Sequence, residues 1–170
     1  MEQEDAAAII AKLGLAPLPV EGGLFVQTWR SDDGAAPAGT ATCAALTGEP
    51  DSFAAMHRLP VDEIWHFYLG DPIDLLLLHP GGTHSTPRLG SDILGGQHVQ
   101  LVIPAGHWMG AALAPGGRFG LFGNTMAPGF HSGLYTGGER AELVKGWPDA
   151  ADRIVSLTRE GTDVAMPPGL

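Results

Sequence analysis

Apolar residues recur along this chain in short runs, and their spacing changes twice. Ala6 to Leu13 carries Ile9, Ile10 and Leu13 at helical spacing and stops at Gly14, a residue suited to a helix C-terminal cap. After the Pro17/Pro19 segment the runs become short and strand-like: LFVQTW (24–29), TATCAALT (40–47), DSFAAMHRL (51–59), EIWHFYL (63–69), IDLLLLH (73–79), HVQLVI (98–103), HWMGAAL (107–113) and RFGLFGNT (118–125). Gly, Pro, Asp and Ser clusters separate them. Such spacing predicts an antiparallel sandwich or small barrel and not a parallel α/β sheet. Helical spacing returns in ERAELVK (139–145) and PDAADRIVSL (148–157), where Pro148 suits a first helical turn. No repeat or linker interrupts this order, so residues 1–170 read as one domain, with a barrel over about 20–135 and a helical tail over about 138–159.

Composition narrows the class. With 170 residues and 44% apolar content the chain can bury a full core, and 25 Gly with 14 Pro supply many turns. The formal charge of −10, with nine basic residues scattered along the chain, argues against nucleic acid or an anionic membrane as partner. Cys43 is the single cysteine and lies in an apolar run, which points to a buried structural thiol in a reducing compartment. No apolar stretch approaches the roughly 20 residues of a membrane span, and the acidic N-terminus is unlike a secretory signal. The cytoplasm is the expected location.

Chemistry concentrates in MHRLPVDEIWHFYLGDP (56–72), where two histidines, adjacent carboxylates, a Trp and a Tyr sit on two runs joined by a turn at Pro60. Ionisable groups on core-like strands are costly to bury and persist mostly where a pocket uses them. A small-molecule site with proton-transfer chemistry is the expectation. Period-two alternation puts Glu63, Trp65 and Phe67 on one strand face and Ile64, His66 and Tyr68 on the other. Either His57 with Glu63 or His66 with Tyr68 then faces inward, unless a bulge near Pro60–Asp62 intervenes. Asp62 is expected to cap the local turn and Arg58 to pair with an acidic neighbour such as Asp62. His79, His84 and His98 sit near turns and read as surface residues.

Three stretches, EGGLFVQTWRS (21–31), HRLPVDEIWHFYLGDP (57–72) and VIPAGHWMGA (102–111), followed by APGF (127–130), resemble the cupin superfamily, specifically the cupin-5 family long labelled a domain of unknown function. The resemblance implies an all-β jelly-roll barrel with flanking helices, a ligand pocket inside the barrel, and a homodimer. Metal-binding cupins carry G-x5-H-x-H-x3,4-E-x6-G and G-x5-P-x-G-x2-H-x3-N. Here Glu63 with Gly70 and Pro104 with Gly106 keep parts of these motifs, and His57 stands near the second His of the first. Ala55 and Met109 stand where two further ligands belong. A divalent ion would have to use His57, Glu63 and either His66 or His107, and Met suits only softer metals. No cofactor is therefore expected.

Among groups expected to touch ligand are Gln27, Thr28 and Arg30 on the strand launched by Gly22-Gly23, Trp65, Trp108 and Met109, and Phe130 of the APGF phrase. Gln27 stands where related sequences commonly have a basic residue, and Met109 makes its part of the pocket more apolar. The function that follows is metal-independent proton transfer, as in an epimerase, isomerase or dehydratase, on a polar metabolite such as a sugar-like molecule or biosynthetic intermediate. His66 or His57 would be the base, Glu63 would hold the imidazole tautomer, and Tyr68 or Glu63 would return the proton. The alternatives are a non-catalytic metabolite-binding or sensing cupin and a metal-dependent isomerase or dioxygenase using His57 and Glu63.

Overall fold

The computed structural model describes residues 3–31, 36–161 and 163–169. Helix α1 (Gln3–Leu13) ends at Gly14, whose φ of 69° is the left-handed conformation of a C-cap. Among the described residues twelve strands follow: β1 (Ala16–Pro17), β2 (Leu24–Arg30), β3 (Thr40–Thr47), β4 (Ala54–Arg58), β5 (Glu63–Gly70), β6 (Ile73–Leu78), β7 (His84–Ser85), β8 (Arg88–Leu89), β9 (Gln100–Ile103), β10 (Trp108–Leu113), β11 (Phe119–Met126) and β12 (Thr136–Gly137). They form two antiparallel sheets, one ordered β1-β2-β3-β11-β5-β9 and the other β12-β4-β10-β6-β7 with β8 also on β6. This is the expected jelly roll. Helices α2 (Arg140–Gly146) and α3 (Ala151–Ser156) follow the last strand, with Pro148 opening a 3-10 turn before α3.

The core lies between the sheets, where Leu46, Leu59, Trp65, Leu75, Leu77, Ile103 and Phe122 pack together. The tail covers the outside of the second sheet through Leu143, Ile154 and Leu157 against Phe53, Met56, Leu76 and Leu78. Helix α1 covers part of the first sheet's outer face at Ala45, Phe119 and Leu121. Among the described residues no helix is long and apolar enough to cross a membrane.

Irregular pairings decide which side chains point inward. In β4, Met109 of β10 faces His57 while Ala111 faces Ala54, so two residues of β4 oppose Gly110 alone. This bulge lets both Ala54 and His57 turn into the barrel, which strict alternation would forbid. Gly110 makes room for it, since a Cβ there would lie 2.6 Å from Met56 Sδ. In β5, Leu121 faces Leu69 while Phe122 faces Phe67, leaving Tyr68 as the extra residue. The bulges fall at Ala55–Met56, at Tyr68 and, in β2, at Thr28, where Gln27 faces Thr42 and Trp29 faces Ala41, not at the Pro60–Asp62 turn that the sequence suggested. Asp62 also departs from expectation: its Oδ1 accepts from the Ala105 N–H at 2.8 Å and so ties the turn to the β9–β10 loop. Arg58 lies over the Trp108 ring at 4.7 Å.

Candidate acid–base site inside the barrel

The inward face of β5 is the Glu63 face. Glu63 and Trp65 are buried, and the Trp65 indole N–H donates to Glu63 Oε2 at 2.7 Å. The indole is itself fixed by stacking on Phe122, with centroids 4.7 Å apart. His66 and Tyr68 point out of the barrel, which removes them from the pocket. His66 Nε2 meets Thr125 Oγ1 at 2.8 Å on the outer face, and Tyr68 is 48% exposed. They do not form a second acid–base pair inside.

His57 is 2% exposed and tightly oriented. Its Nδ1 lies 2.7 Å from the Ala55 carbonyl, which can only accept, so Nδ1 carries the proton and Nε2 keeps its lone pair. The backbone of the β4 bulge, and not Glu63, thus sets the tautomer. One side of the ring stacks on Tyr135 at 5.0 Å. Nε2 looks toward Glu21 Oε2 at 3.9 Å, too long for a direct hydrogen bond but short enough for one ligand atom to touch both.

Glu21, Tyr135 and Asn124 complete the site and were not among the sequence candidates. Glu21 precedes Gly22 and Gly23, whose φ values of 91° and 70° turn the chain into β2. The Glu21 carbonyl accepts from the Ala55 N–H at 2.8 Å and from Arg159 at 3.1 Å, which pins this loop between the β4 bulge and the tail. The Arg159 guanidinium also donates to the Asp51 carbonyl at 2.8 Å and stacks 3.8 Å from the Phe53 ring centroid. Gly22 sits under it: a Cβ there would lie 2.5 Å from Arg159 Nη2 and 2.7 Å from the Phe53 carbonyl. A Gly22→Ala substitution is expected to destabilise the fold by about 2 kcal/mol or more, read as a lowered denaturant midpoint with unchanged slope.

These groups line one cavity, partly open to solvent, with Phe25, Gln27, Leu46, Leu59, Phe122, Met126, Phe130 and Met166, and about 80 Å³ is free inside it. Of the ligand-contact candidates, Gln27 and Phe130 line it, whereas Thr28, Arg30, Trp65, Trp108 and Met109 are not part of its wall. Thr28 bonds the Ala41 carbonyl and Arg30 the Phe130 carbonyl, so both serve the frame. The wall is mostly apolar, and that shifts its ionisable groups. Burial pushes Glu21 up to about 8, with Arg159 pulling the other way. Burial likewise raises Glu63 to about 7, against the nearby His57 and with the help of Glu21. Burial depresses His57 below its ordinary value, opposed by Glu63 and by the Ala55 bond. At neutral pH the cavity therefore holds a neutral imidazole with a free lone pair beside a protonated carboxyl.

The same geometry tests the metal set. His66 faces outward, and His107 bonds the Pro104 carbonyl and meets the His79 ring edge-on, away from the cavity. Among the described residues no three His, Cys, Asp or Glu side chains are grouped to hold a metal ion. His57 and Glu63 thus lack the third ligand that the sequence proposed for them.

Residues 7–136 match the Cupin_5 family, described as cupin superfamily (DUF985). The chain belongs to that family. This cupin is 28% identical to protein SO0799 from Shewanella oneidensis, with 94% of this chain and 99% of that one covered at a TM-score of 0.82. A hypothetical protein from Leishmania major is 25% identical, covering 91% and 99% at a TM-score of 0.82. A Klebsiella pneumoniae protein with a double-stranded β-helix domain is 14% identical over 76% of this chain and 94% of that one, at a TM-score of 0.50, and shares the fold alone. No curated protein matches this cupin.

Proposed function

We propose that this cupin is an enzyme that moves protons on a small polar metabolite with its own side chains, as an isomerase, epimerase or dehydratase. The observation that carries this reading is the approach of His57 Nε2 to Glu21 Oε2 at 3.9 Å within a cavity that Glu63 also lines. His57 Nε2 takes the proton from a carbon next to a carbonyl, and the C–H electron pair moves into a carbon–carbon double bond. Glu21 gives its proton to the carbonyl oxygen as that oxygen gains charge. The resulting imidazolium and carboxylate then stand side by side and stabilise each other in a low-dielectric space. Return of the proton to the opposite face of the same carbon is epimerisation, and return to the neighbouring carbon is isomerisation. Loss of a β-hydroxyl protonated by Glu63 is dehydration.

The test works with an unidentified substrate. The protein is incubated in D2O with a small-molecule extract, and mass spectrometry finds metabolites that gain deuterium at carbon. One or a few should do so, and a His66→Ala control, altered outside the barrel, should match the parent within about twofold. Absence of any protein-dependent exchange, or exchange lost in His66→Ala but kept without His57, defeats the reading. The competing reading is a metabolite-holding barrel, which the aromatic wall of Phe25, Phe122, Phe130 and Tyr135 favours. It predicts binding with no exchange.

For the outer face we propose a second copy of the chain as the cover. Trp29, Tyr68 and Val102 are exposed there at 55%, 48% and 51%, an apolar set beside the part that α1 covers. Analytical ultracentrifugation should find a dimer that Trp29→Glu dissociates, and a monomer at all concentrations overturns this.

A further inference from the structure

The chemical class of the ligand can be read from what the cavity wall offers and lacks. All nine Lys and Arg residues of the chain fall within the described residues, and none of them lines the cavity. A phosphate or carboxylate placed inside would meet two glutamate side chains and no Lys or Arg of the wall, at a desolvation cost that no lining cation offsets.

The polar groups that do line it divide into spent and unspent. The Thr40 hydroxyl accepts from the Phe130 N–H at 2.9 Å, and the Thr42 hydroxyl from the Asn124 N–H at 3.3 Å. One oxygen of Glu63 is held by Trp65. The Tyr135 hydroxyl and the Asn124 Nδ2, in contrast, are buried without any hydrogen-bond partner among the described residues. Tyr135 is only 7% exposed, so its hydroxyl has no solvent to turn to. A buried donor left unpaired is costly, because it has given up water and gained no partner. Both residues line the cavity together with His57 and the two carboxyls, and Tyr135 stacks on His57, so a molecule held there meets both unpaired donors.

We infer that the ligand is a compact, uncharged molecule of the hydroxy-carbonyl type, with acceptor oxygens for Tyr135 and Asn124 and no phosphate, carboxylate or ammonium group. This deepens the acid–base reading and rests on it only in taking the barrel cavity as the site. An ammonium is disfavoured because the unpaired groups of the wall, the Asn124 Nδ2 and the Tyr135 hydroxyl, call for an acceptor, and an ammonium brings only donors. A carbonyl oxygen instead accepts from Tyr135 or a protonated carboxyl, and a hydroxyl can donate to His57 Nε2. Sugar nucleotides carry phosphates and fall outside this class.

Three probes share one three-carbon ketone skeleton and differ in charge: hydroxyacetone, aminoacetone and pyruvate. Their binding to the full-length protein at pH 7 is measured by NMR titration. Hydroxyacetone should bind in the millimolar range and at least about tenfold more tightly than either charged probe. Tyr135→Phe, which removes a hydroxyl that no described side chain uses, should weaken hydroxyacetone several-fold while the fold is retained. Asn124→Ala should do the same and supplies the answer if Tyr135→Phe does not fold. Equal or tighter binding of pyruvate or aminoacetone overturns the inference, as does no detectable binding of hydroxyacetone or full affinity in the variants. Hydroxyacetone binding without deuterium exchange on any metabolite would sink the enzymatic reading and leave the ligand class standing. Exchange on a phosphorylated metabolite would do the reverse.

Discussion

A His57→Asn variant is expected to lose deuterium exchange on the order of 10²–10⁴-fold, the usual contribution of a positioned general base. The argument is geometric before it is electrostatic. Among the described residues only His57 combines a fixed tautomer, through the Ala55 carbonyl at 2.7 Å, with a lone pair directed at the cavity. Asparagine keeps a polar group near the Ala55 carbonyl but has no atom basic enough to take a proton. Circular dichroism and a thermal melt should show a folded protein, destabilised by about 1–3 kcal/mol for the lost stack and bond. The parent's pH–rate profile carries a second signature. Activity needs neutral His57, whose value burial lowers from 6.5, and protonated Glu21, which burial raises to about 8. The profile should be a bell whose acid limb lies below pH 6.5 and whose alkaline limb lies near pH 8. An alkaline limb at the ordinary carboxylate value, or an unaffected exchange rate in His57→Asn, would show that the proton moves elsewhere.

The eight long strands and the three described helices were legible in the sequence because each is long enough to show a period. TATCAALT at 40–47 is the clearest case, since the run and β3 coincide. Strands β1, β7, β8 and β12 have two residues each and carry no period at all. The inward face of β5 was not legible for a different reason. Glu63, Trp65 and Phe67 alternate with Ile64, His66 and Tyr68, so both faces offer an ionisable group and an aromatic ring. What selects between them is the partner on each side, Phe122 inside and Thr125 outside, and those lie on a distant strand. The same holds for the site. Motif resemblance pointed to His57 and Glu63, but Glu21 sits in a loop before β2 and Tyr135 in the turn before β12. The EGG phrase was one available signal for Glu21, because two left-handed glycines fix the residue before them. Tyr135 had none, as a lone aromatic in a glycine-rich turn reads as an anchor. Single-residue bulges such as that at Ala55–Met56 depend on close approach across strands, here on Gly110.

Glu21→Gln is expected to stabilise the protein on the alkaline side while removing its activity, a combination that few structural substitutions produce. The sign follows from linkage. Glu21 ionises near 4.5 in the unfolded chain and near 8 in the folded one, because burial penalises its charged form more than Arg159 favours it. Below pH 4.5 both states are protonated and the group contributes no pH dependence. Between pH 4.5 and pH 8 the unfolded state gives up its proton first, so the folded state binds more protons and stability falls as pH rises. Above pH 8 both states are ionised and the loss is complete. Glutamine has the same shape and no titration, so the difference in unfolding free energy between variant and parent should grow from pH 5 to pH 8 by roughly 2–4 kcal/mol. Denaturant melts at several pH values measure this difference directly, and Glu63, which Glu21 helps to raise, shifts the difference in the same direction. The variant keeps an amide donor for a ligand carbonyl but has no proton to give, so hydroxyacetone binding should survive while exchange falls by about 10²-fold or more. A flat difference across that pH range would show that Glu21 ionises in the folded protein as it does in the unfolded chain, and with it would go the neutral carboxyl on which the proton relay depends.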